Sequence, residues 1–275
     1  MSRAHLRRPE FVRLAHGVVV RLDDAIDETE RLRLLATVLP ADAAFSHRTA
    51  AALLGAHVDP PARPHIALRP RRVLPQHAGL VVHGRRLEAA DVVDHDGLRV
   101  TSGAQTFLDL APMVPPQELV AVGDALYRRD RLDPTTLAER LARADRVRGV
   151  VRARACAPLL IRTAHSRPES LTRYWLLASD LPDPEPQVEV KDRHGRVVAH
   201  GDLGYSRWKV LLEYEGRQHA LDVDQFRRDV DRYSLAALDG WLVLRFADHH
   251  LSGPSTVVER TRRGLISRGW RPGRS

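Results

Sequence analysis

Cysteine, lysine and aromatic residues are all scarce in this chain of 275 residues. The single cysteine, Cys156 in RARACAPLL, excludes an internal disulfide and any cysteine-rich zinc site, and it reads as a small core residue. Lysine occurs only at Lys191 and Lys209 among 43 basic residues, a bias that a GC-rich genome produces as readily as selection for binding. Aromatic residues make up 5%. No apolar run approaches the roughly 20 residues needed to span a bilayer. The opening MSRAHLRRPEFVRLAHG has no long apolar segment after its basic residues, so neither a membrane span nor a secretory leader is expected and a cytoplasmic location is inferred.

What is present describes an ordinary globular chain, with 43% hydrophobic and 28% charged residues and length enough for one or two domains. The net charge of +8 suggests a polyanionic partner, because clustered arginines bind phosphate backbones by releasing counterions. That excess is uneven: 25 basic against 19 acidic residues precede Ser166, and 18 against 16 follow from it. Carboxylates therefore stand out in the second part.

The spacing predicts two domains, 1–165 and 166–275, joined by RTAHSRPES. In the first, FVRLAHGVVVRL suggests a strand pair turning at Gly17, DETERLRLLATVL a helix, and AFSHRTAAALLGA a helix capped by Ser46 and stopped at Gly55. HIALRP, GLVVHG and GLRV suggest short strands. TSGAQTFLDLA, PPQELVAVGDALYRRD and DPTTLAERLARAD suggest three helices, and a basic helix is expected over Val147 to Ile161. RVRGVVRARA within it suits either phosphate contact or a solvated arginine face. From Ser166 the expected order is a helix with a stripe of Leu171, Trp175 and Leu176, three strands (PQVEVKD, RVVAHGDLGY, KVLLEYEG), a helix ending at Gly240, the buried strand WLVLRF and a last helix. Three strands as a meander followed by a helical crossover give a mixed sheet with helices packed on it, hence an α/β (α+β) class.

KVLLEYEGRQH poses the chemical question, since Glu213 and Glu215 alternate onto one face and like charges repel. If the second and third strands pair, Asp202 is brought near Glu213, and Glu169 at the start of the preceding helix reaches the same rim. Such a group suits a hard cation, because Mg²⁺ takes oxygen ligands and completes its shell with water and phosphate. The same acids also suit a solvated sheet face, and Glu169 an ordinary helix N-terminus. The adjacent His249 and His250 read as loop residues, lacking a companion cysteine.

GDLGYSRWKVLLEYEGRQH with RRDVDRYSLAALDGWLVLRF resembles the very-short-patch-repair (Vsr)-like endonuclease domain of the PD-(D/E)XK superfamily, over Pro168 to Gly264. The resemblance implies a restriction-endonuclease-like αβββαβ core, a Mg²⁺ ion (or Mn²⁺) on Asp202 and Glu213 with Glu215 alongside, and Glu169 as an auxiliary acid. Glu215 stands where the superfamily has lysine. Vsr-like relatives rely on histidine instead, which makes His219 the general base or donor, with Gln218 orienting water or phosphate and Arg228 a phosphate contact. More weakly, FSHRTAAALLGA and VTSGAQTFLDLA resemble an AbiEi-type antitoxin region, which implies a helical DNA-binding or regulatory segment with His47 and Arg48 as contacts.

The expected activity is Mg²⁺-dependent hydrolysis of DNA phosphodiesters in repair or defence. DNA is the expected partner, with a homodimer partner considered and no membrane. A non-catalytic DNA-binding regulator and a protein-binding module are the rival expectations.

Overall fold

A computed structural model describes residues 11–15, 18–21, 27–73, 79–191, 194–215 and 233–273. The chain divides into two units, Met1–Pro115 with Arg129–Pro158, and Pro116–Arg128 with Leu159–Ser275. This differs from a single cut before Ser166 in two respects: the helix Pro116–Arg128 packs with the later residues, and the later segment begins at Leu159.

In the first unit, strands β1 (Phe11–Ala15) and β2 (Val18–Arg21) form an antiparallel pair. Helix α1 (Glu28–Ala36) starts where the Asp27 side chain accepts from the Glu30 amide. A five-stranded mixed sheet follows, in the order β5 (Val81–Gly84), β4 (His65–Leu68), β3 (Ala44–Phe45), β7 (Leu98–Thr101) and β6 (Val92–His95). Ala44–Phe45 and Val92–His95 were not expected as strands, and neither stretch is long enough to show a clear alternation. Helices α2 (His47–Leu53) and α3 (Gly103–Leu110) pack on each other. Ser46 precedes α2 as expected, yet its hydroxyl lies 2.9 Å from His47 Nδ1 instead of capping the helix.

Helix α5 (Pro134–Ala142) is capped by Asp133. The basic helix expected over Val147 to Ile161 is shorter, α6 (Val150–Cys156). Gly149 precedes it in the left-handed region (φ 87°), and a 3₁₀ turn containing Pro158 follows, since proline cannot donate to a continuing helix. Cys156 is buried in α6.

The second unit contains α4 (Pro116–Arg128), α7 (Arg167–Leu177), a helical stretch over residues 233–238 and α8 (Pro254–Ser267). Its sheet runs β11 (Leu242–Ala247), β10 (Val210–Glu215), β9 (Val197–Tyr205), β8 (Glu185–Lys191). The meander β8–β9–β10 is antiparallel and β11 returns parallel to β10. Both units are therefore mixed α/β. On one face of this sheet, Leu171, Trp175 and Leu176 of α7 and Val257 and Leu265 of α8 pack on Leu212 and Phe246. Trp241 and Ala236 cover Val188, Val190 and Leu211 on the other face.

Strand β9 does not keep one face throughout. Ala199 packs with Val188 and Leu211, whereas Leu203 and Tyr205 pack with Val210 and Leu212 in the opposite cluster. Regular alternation would hold all three odd-numbered residues together, so the strand turns over between Gly201 and Leu203. Across the ladder, the pairs Val188↔Gly201 and Pro186↔Leu203 flank Gln187, whose φ is 52°. Gly201 is required there: a Cβ would lie 2.4 Å from Leu211 Cγ. The turnover falls on Asp202.

Tyr205 closes β9 at 1% exposure, and its hydroxyl has no hydrogen-bond partner among the described residues. A buried hydroxyl without a partner costs about 1–3 kcal/mol. Tyr205→Phe is therefore expected to stabilise the protein by about 1 kcal/mol, read as a higher denaturant midpoint with an unchanged slope. A lower midpoint would contradict this assignment.

Candidate functional site

The carboxylates gather where β9 and β10 part. Their ladder pairs Val210↔Tyr205, Leu211↔Gly204 and Leu212↔Leu203, so one further step along the register sets Glu213 opposite Asp202. There the Tyr214 amide donates to Asp202 Oδ2 at 3.1 Å, the side chain taking over as acceptor. Glu213 is only 6% exposed. Glu169 reaches the same place from the first turn of α7, where Ser166 caps the helix and Pro168 is pre-set for its start. Asp202, Glu213 and Glu169 line one small pocket together with Thr172, Leu203, Leu212, Tyr214 and Phe246.

Electrostatics sharpen this grouping. Burial, and then the charge of Asp202, push the Glu169 carboxyl above its ordinary range. Hydrogen bonds at the helix start oppose the shift, including the His165 amide donating to Glu169 Oε2 at 2.9 Å. The result is an acidic pocket with an apolar floor.

Glu215, expected to share the ion, is placed elsewhere. Its Oε1 accepts from Arg245 Nε at 2.6 Å and from the Tyr233 hydroxyl at 3.0 Å, and the Arg245 guanidinium lies 4.7 Å from the centre of the Tyr233 ring. The parallel register explains this, because Arg245 stands beside Glu213 and is within reach of the next outward acid. Gln218, His219 and Arg228 lie outside the described residues.

In the first unit, His47 corrects the expectation of a nucleic-acid contact, since its side chain is 1% exposed and cannot meet a phosphate. Arg48 is half-buried. His47 instead belongs to a group that sequence reasoning missed, with His65 on β4 and His83 on β5. The one available signal was a histidine inside each of three short apolar stretches, AFSHRTAA, PHIALRP and GLVVHG; only the sheet shows that they converge. His249 and His250 form the expected turn, where His250 Nδ1 accepts the Ala247 amide at 3.0 Å.

No family model matches the chain. It is similar to the uncharacterized protein MT2308 of Mycobacterium tuberculosis (strain CDC 1551 / Oshkosh), with 27% identity over 237 residues covering 85% of this chain and 84% of that protein. The same figures hold for the uncharacterized protein Rv2248 of Mycobacterium tuberculosis (strain ATCC 25618 / H37Rv). Among solved structures it is similar to the crystal structure of RV2827C protein from Mycobacterium tuberculosis. That match has a TM-score of 0.42 and 20% identity, covering 61% of this chain and 67% of that one.

Proposed function

We propose that the chain is a Mg²⁺-dependent DNA endonuclease whose second unit is a Vsr-like member of the PD-(D/E)XK superfamily and whose first unit is antitoxin-like. The observation that carries this reading is the convergence of Asp202, Glu213 and Glu169 on one pocket where strands β9 and β10 part. The element order around it, one helix, a three-stranded meander and a parallel return strand, is the order that the proposed core requires.

The donor set fits the metal. All three side chains offer oxygen, the ligand that a hard cation prefers, and the Glu169 carboxyl, raised first by burial and then by the Asp202 charge, would be relieved of that second contribution by a cation. Asp202 and Glu213 would hold the ion. When bound, it would polarise a phosphodiester and lower the pKa of an attacking water.

The chain's own residues do the positioning. The Tyr214 amide fixes the Asp202 carboxylate, and the cap at Ser166 fixes Glu169, which keeps its proton to higher pH than an exposed carboxyl. Arg245 neutralises Glu215 and so removes one negative charge from the approach of a phosphate. His219 serves as general base in this reading, with Gln218 and Arg228 as water and phosphate contacts.

Purified full-length protein, incubated with Mg²⁺ or Mn²⁺ and with single-stranded, duplex, nicked or mismatched DNA, is expected to cleave at least one form. Asp202→Ala and Glu213→Ala are expected to reduce cleavage to background while leaving the fold intact by circular dichroism. Undiminished cleavage by both variants would sink the assignment.

A second reading has a specific observation behind it. Glu215 stands where the superfamily's lysine is expected and is tied to Arg245, which suits a nuclease fold kept for binding DNA as a non-catalytic regulator. Metal-independent, salt-sensitive DNA binding without any nicking would select that reading. No helix of the described residues is long and apolar enough to cross a membrane.

A further inference from the structure

We infer that His47, His65 and His83 form a second metal site, in the first unit, for a borderline transition-metal ion such as Zn²⁺. The sheet builds it. Strands β4 and β5 run parallel with His65↔Val81 and Ala67↔His83 in register, so the two histidines stand two residues apart on one face of the sheet. His47 is the first residue of α2, which packs against β4, and its backbone holds a left-handed φ of 52°, a conformation unfavourable for a non-glycine residue. The Thr49 hydroxyl, one turn into α2, accepts the His65 amide at 2.8 Å and ties helix to strand at the site.

The nitrogens are close enough to share one ion. His83 Nε2 lies 3.1 Å from His65 Nδ1, and one ligand nitrogen from each of the three histidines lies within 4.8 Å of the others. Around a tetrahedral zinc with Zn–N bonds of about 2.0–2.1 Å, two ligand nitrogens are separated by roughly 3.3 Å. The His47 ring stacks on His83 with centroids 3.7 Å apart, so the ring must turn out of the stack for its nitrogen to face the ion. Among the described residues no other group of three histidine, cysteine or carboxylate side chains draws its ligand atoms this close.

Chemistry selects the ion. Imidazole nitrogen suits zinc, copper, nickel and cobalt and discriminates against Mg²⁺, which demands oxygen. A metal requires each imidazole in its neutral, lone-pair-bearing form, and His47 and His65 are buried while His83 is half-buried.

Two neighbours complete the argument. Asp109, 1% exposed on α3, has its Oδ2 3.8 Å from His47 Nδ1, beyond hydrogen-bond distance while Ser46 Oγ holds that nitrogen at 2.9 Å; a turn of the ring toward the ion would bring the carboxylate into the role of one that orients a ligating histidine. Arg85 is the competitor. Its Nε donates to Asp109 Oδ1 at 2.8 Å, its Nη1 to the Gly84 carbonyl at 3.3 Å, and its guanidinium lies 3.4 Å from His47 Nε2, while its side chain is 30% exposed and so has solvent beside it. Incoming metal would displace the guanidinium from the His47 ring and leave Asp109 to balance the added charge.

The test uses the full chain, stripped with a chelator and titrated with Zn²⁺ by calorimetry in excess Mg²⁺, which occupies the proposed carboxylate site, with Co²⁺ absorption reporting ligand geometry. His249→Ala/His250→Ala serves as the background throughout, so that the adjacent pair in the second unit contributes nothing. One ion per chain is expected to bind. His65→Ala and His83→Gln are expected to weaken binding beyond the about 10–100-fold that loss of a supporting residue costs, and Asp109→Asn within that range. Arg85→Met is expected to tighten it by at least about tenfold, because a like charge leaves the site. His83 is only half-buried, so its glutamine variant keeps the test valid if His65→Ala fails to fold. Binding unchanged by His83→Gln, or no saturable uptake by either the background protein or its Arg85→Met form, overturns the assignment.

Discussion

Replacing Asp124 with alanine is expected to destabilise the protein by about 3–5 kcal/mol, the cost of stranding a buried charge. Asp124 sits on α4 at 1% exposure and is satisfied from three directions. Its Oδ1 accepts the Ile161 amide at 2.8 Å, and its Oδ2 accepts the Ser170 hydroxyl at 2.7 Å and an Arg173 guanidinium nitrogen at 2.9 Å. Burial drives its carboxyl upward and the Arg173 charge pulls it back, so ion and counter-ion depend on each other. Arg173 is 4% exposed, and its Nε has no hydrogen-bond partner among the described residues. Without Asp124, Arg173 would be left as an uncompensated cation in the interior.

Two companion variants separate the charge effect from lost packing. Arg173→Met should be costly for the reciprocal reason. The double variant Asp124→Leu with Arg173→Met should recover part of the loss, because an apolar pair of similar volume replaces a desolvated ion pair. Denaturant titration of the wild type, Asp124→Leu, Arg173→Met and the double variant closes a double-mutant cycle with a coupling energy of at least about 1 kcal/mol. Strict additivity would show that the pair is not an energetic unit.

Phe246→Ala is expected to cost about 3–5 kcal/mol, through lost transfer energy and the cavity left behind. Phe246 is 2% exposed on β11, packed in the cluster formed with Leu171, Trp175 and Leu212, and its ring meets His250 edge-on at 6.0 Å. It also forms part of the floor of the carboxylate pocket. The substitution would therefore act twice, lowering the denaturant midpoint and admitting water beneath Glu169 and Asp202. Phe246→Leu keeps most of the volume and should cost less than about 1.5 kcal/mol. If the two variants were equally mild, the floor would not be the packed element described.

Several features of the second unit were legible in the sequence because each rests on local chemistry. Ser166, Pro168 and the stripe of Leu171, Trp175 and Leu176 specify where α7 begins and which face it buries. WLVLRF announces β11 as a strand, and the gap between it and KVLLEYEG is long enough for a crossover, hence the parallel pairing of β10 with β11. It is not the buried strand expected, because β11 lies at the sheet edge and only Phe246 of Leu242–Ala247 is buried. The proximity of Asp202 and Glu213 followed from assuming a meander. What remained hidden was the turnover of β9 at Asp202, which depends on Gly201 yielding its space to Leu211 and on Gln187 across the ladder.

Glu215 shows the limit of reading one strand alone. Alternation puts it beside Glu213, but its partner is chosen by β11, where Arg245 arrives from thirty residues away. The helix Pro116–Arg128 shows the same limit at the scale of units. Its sequence is amphipathic and neutral as to which core it joins, and the choice is made by Asp124 meeting Arg173 and Ser170.

The sequence by itself determined the mixed α/β class, most of the helix starts and the order of strands in the second unit, because propensity, capping and hydrophobic periodicity act over a few neighbouring residues. Tertiary structure alone decided which charges meet. It kept Asp202, Glu213 and Glu169 together but gave Glu215 to Arg245, placed α4 in the second unit, and gathered three histidines from a helix start and two strands. The physical reason is that burial and pairing energies depend on distances of a few ångströms across the fold, and these become defined only when the sheets close.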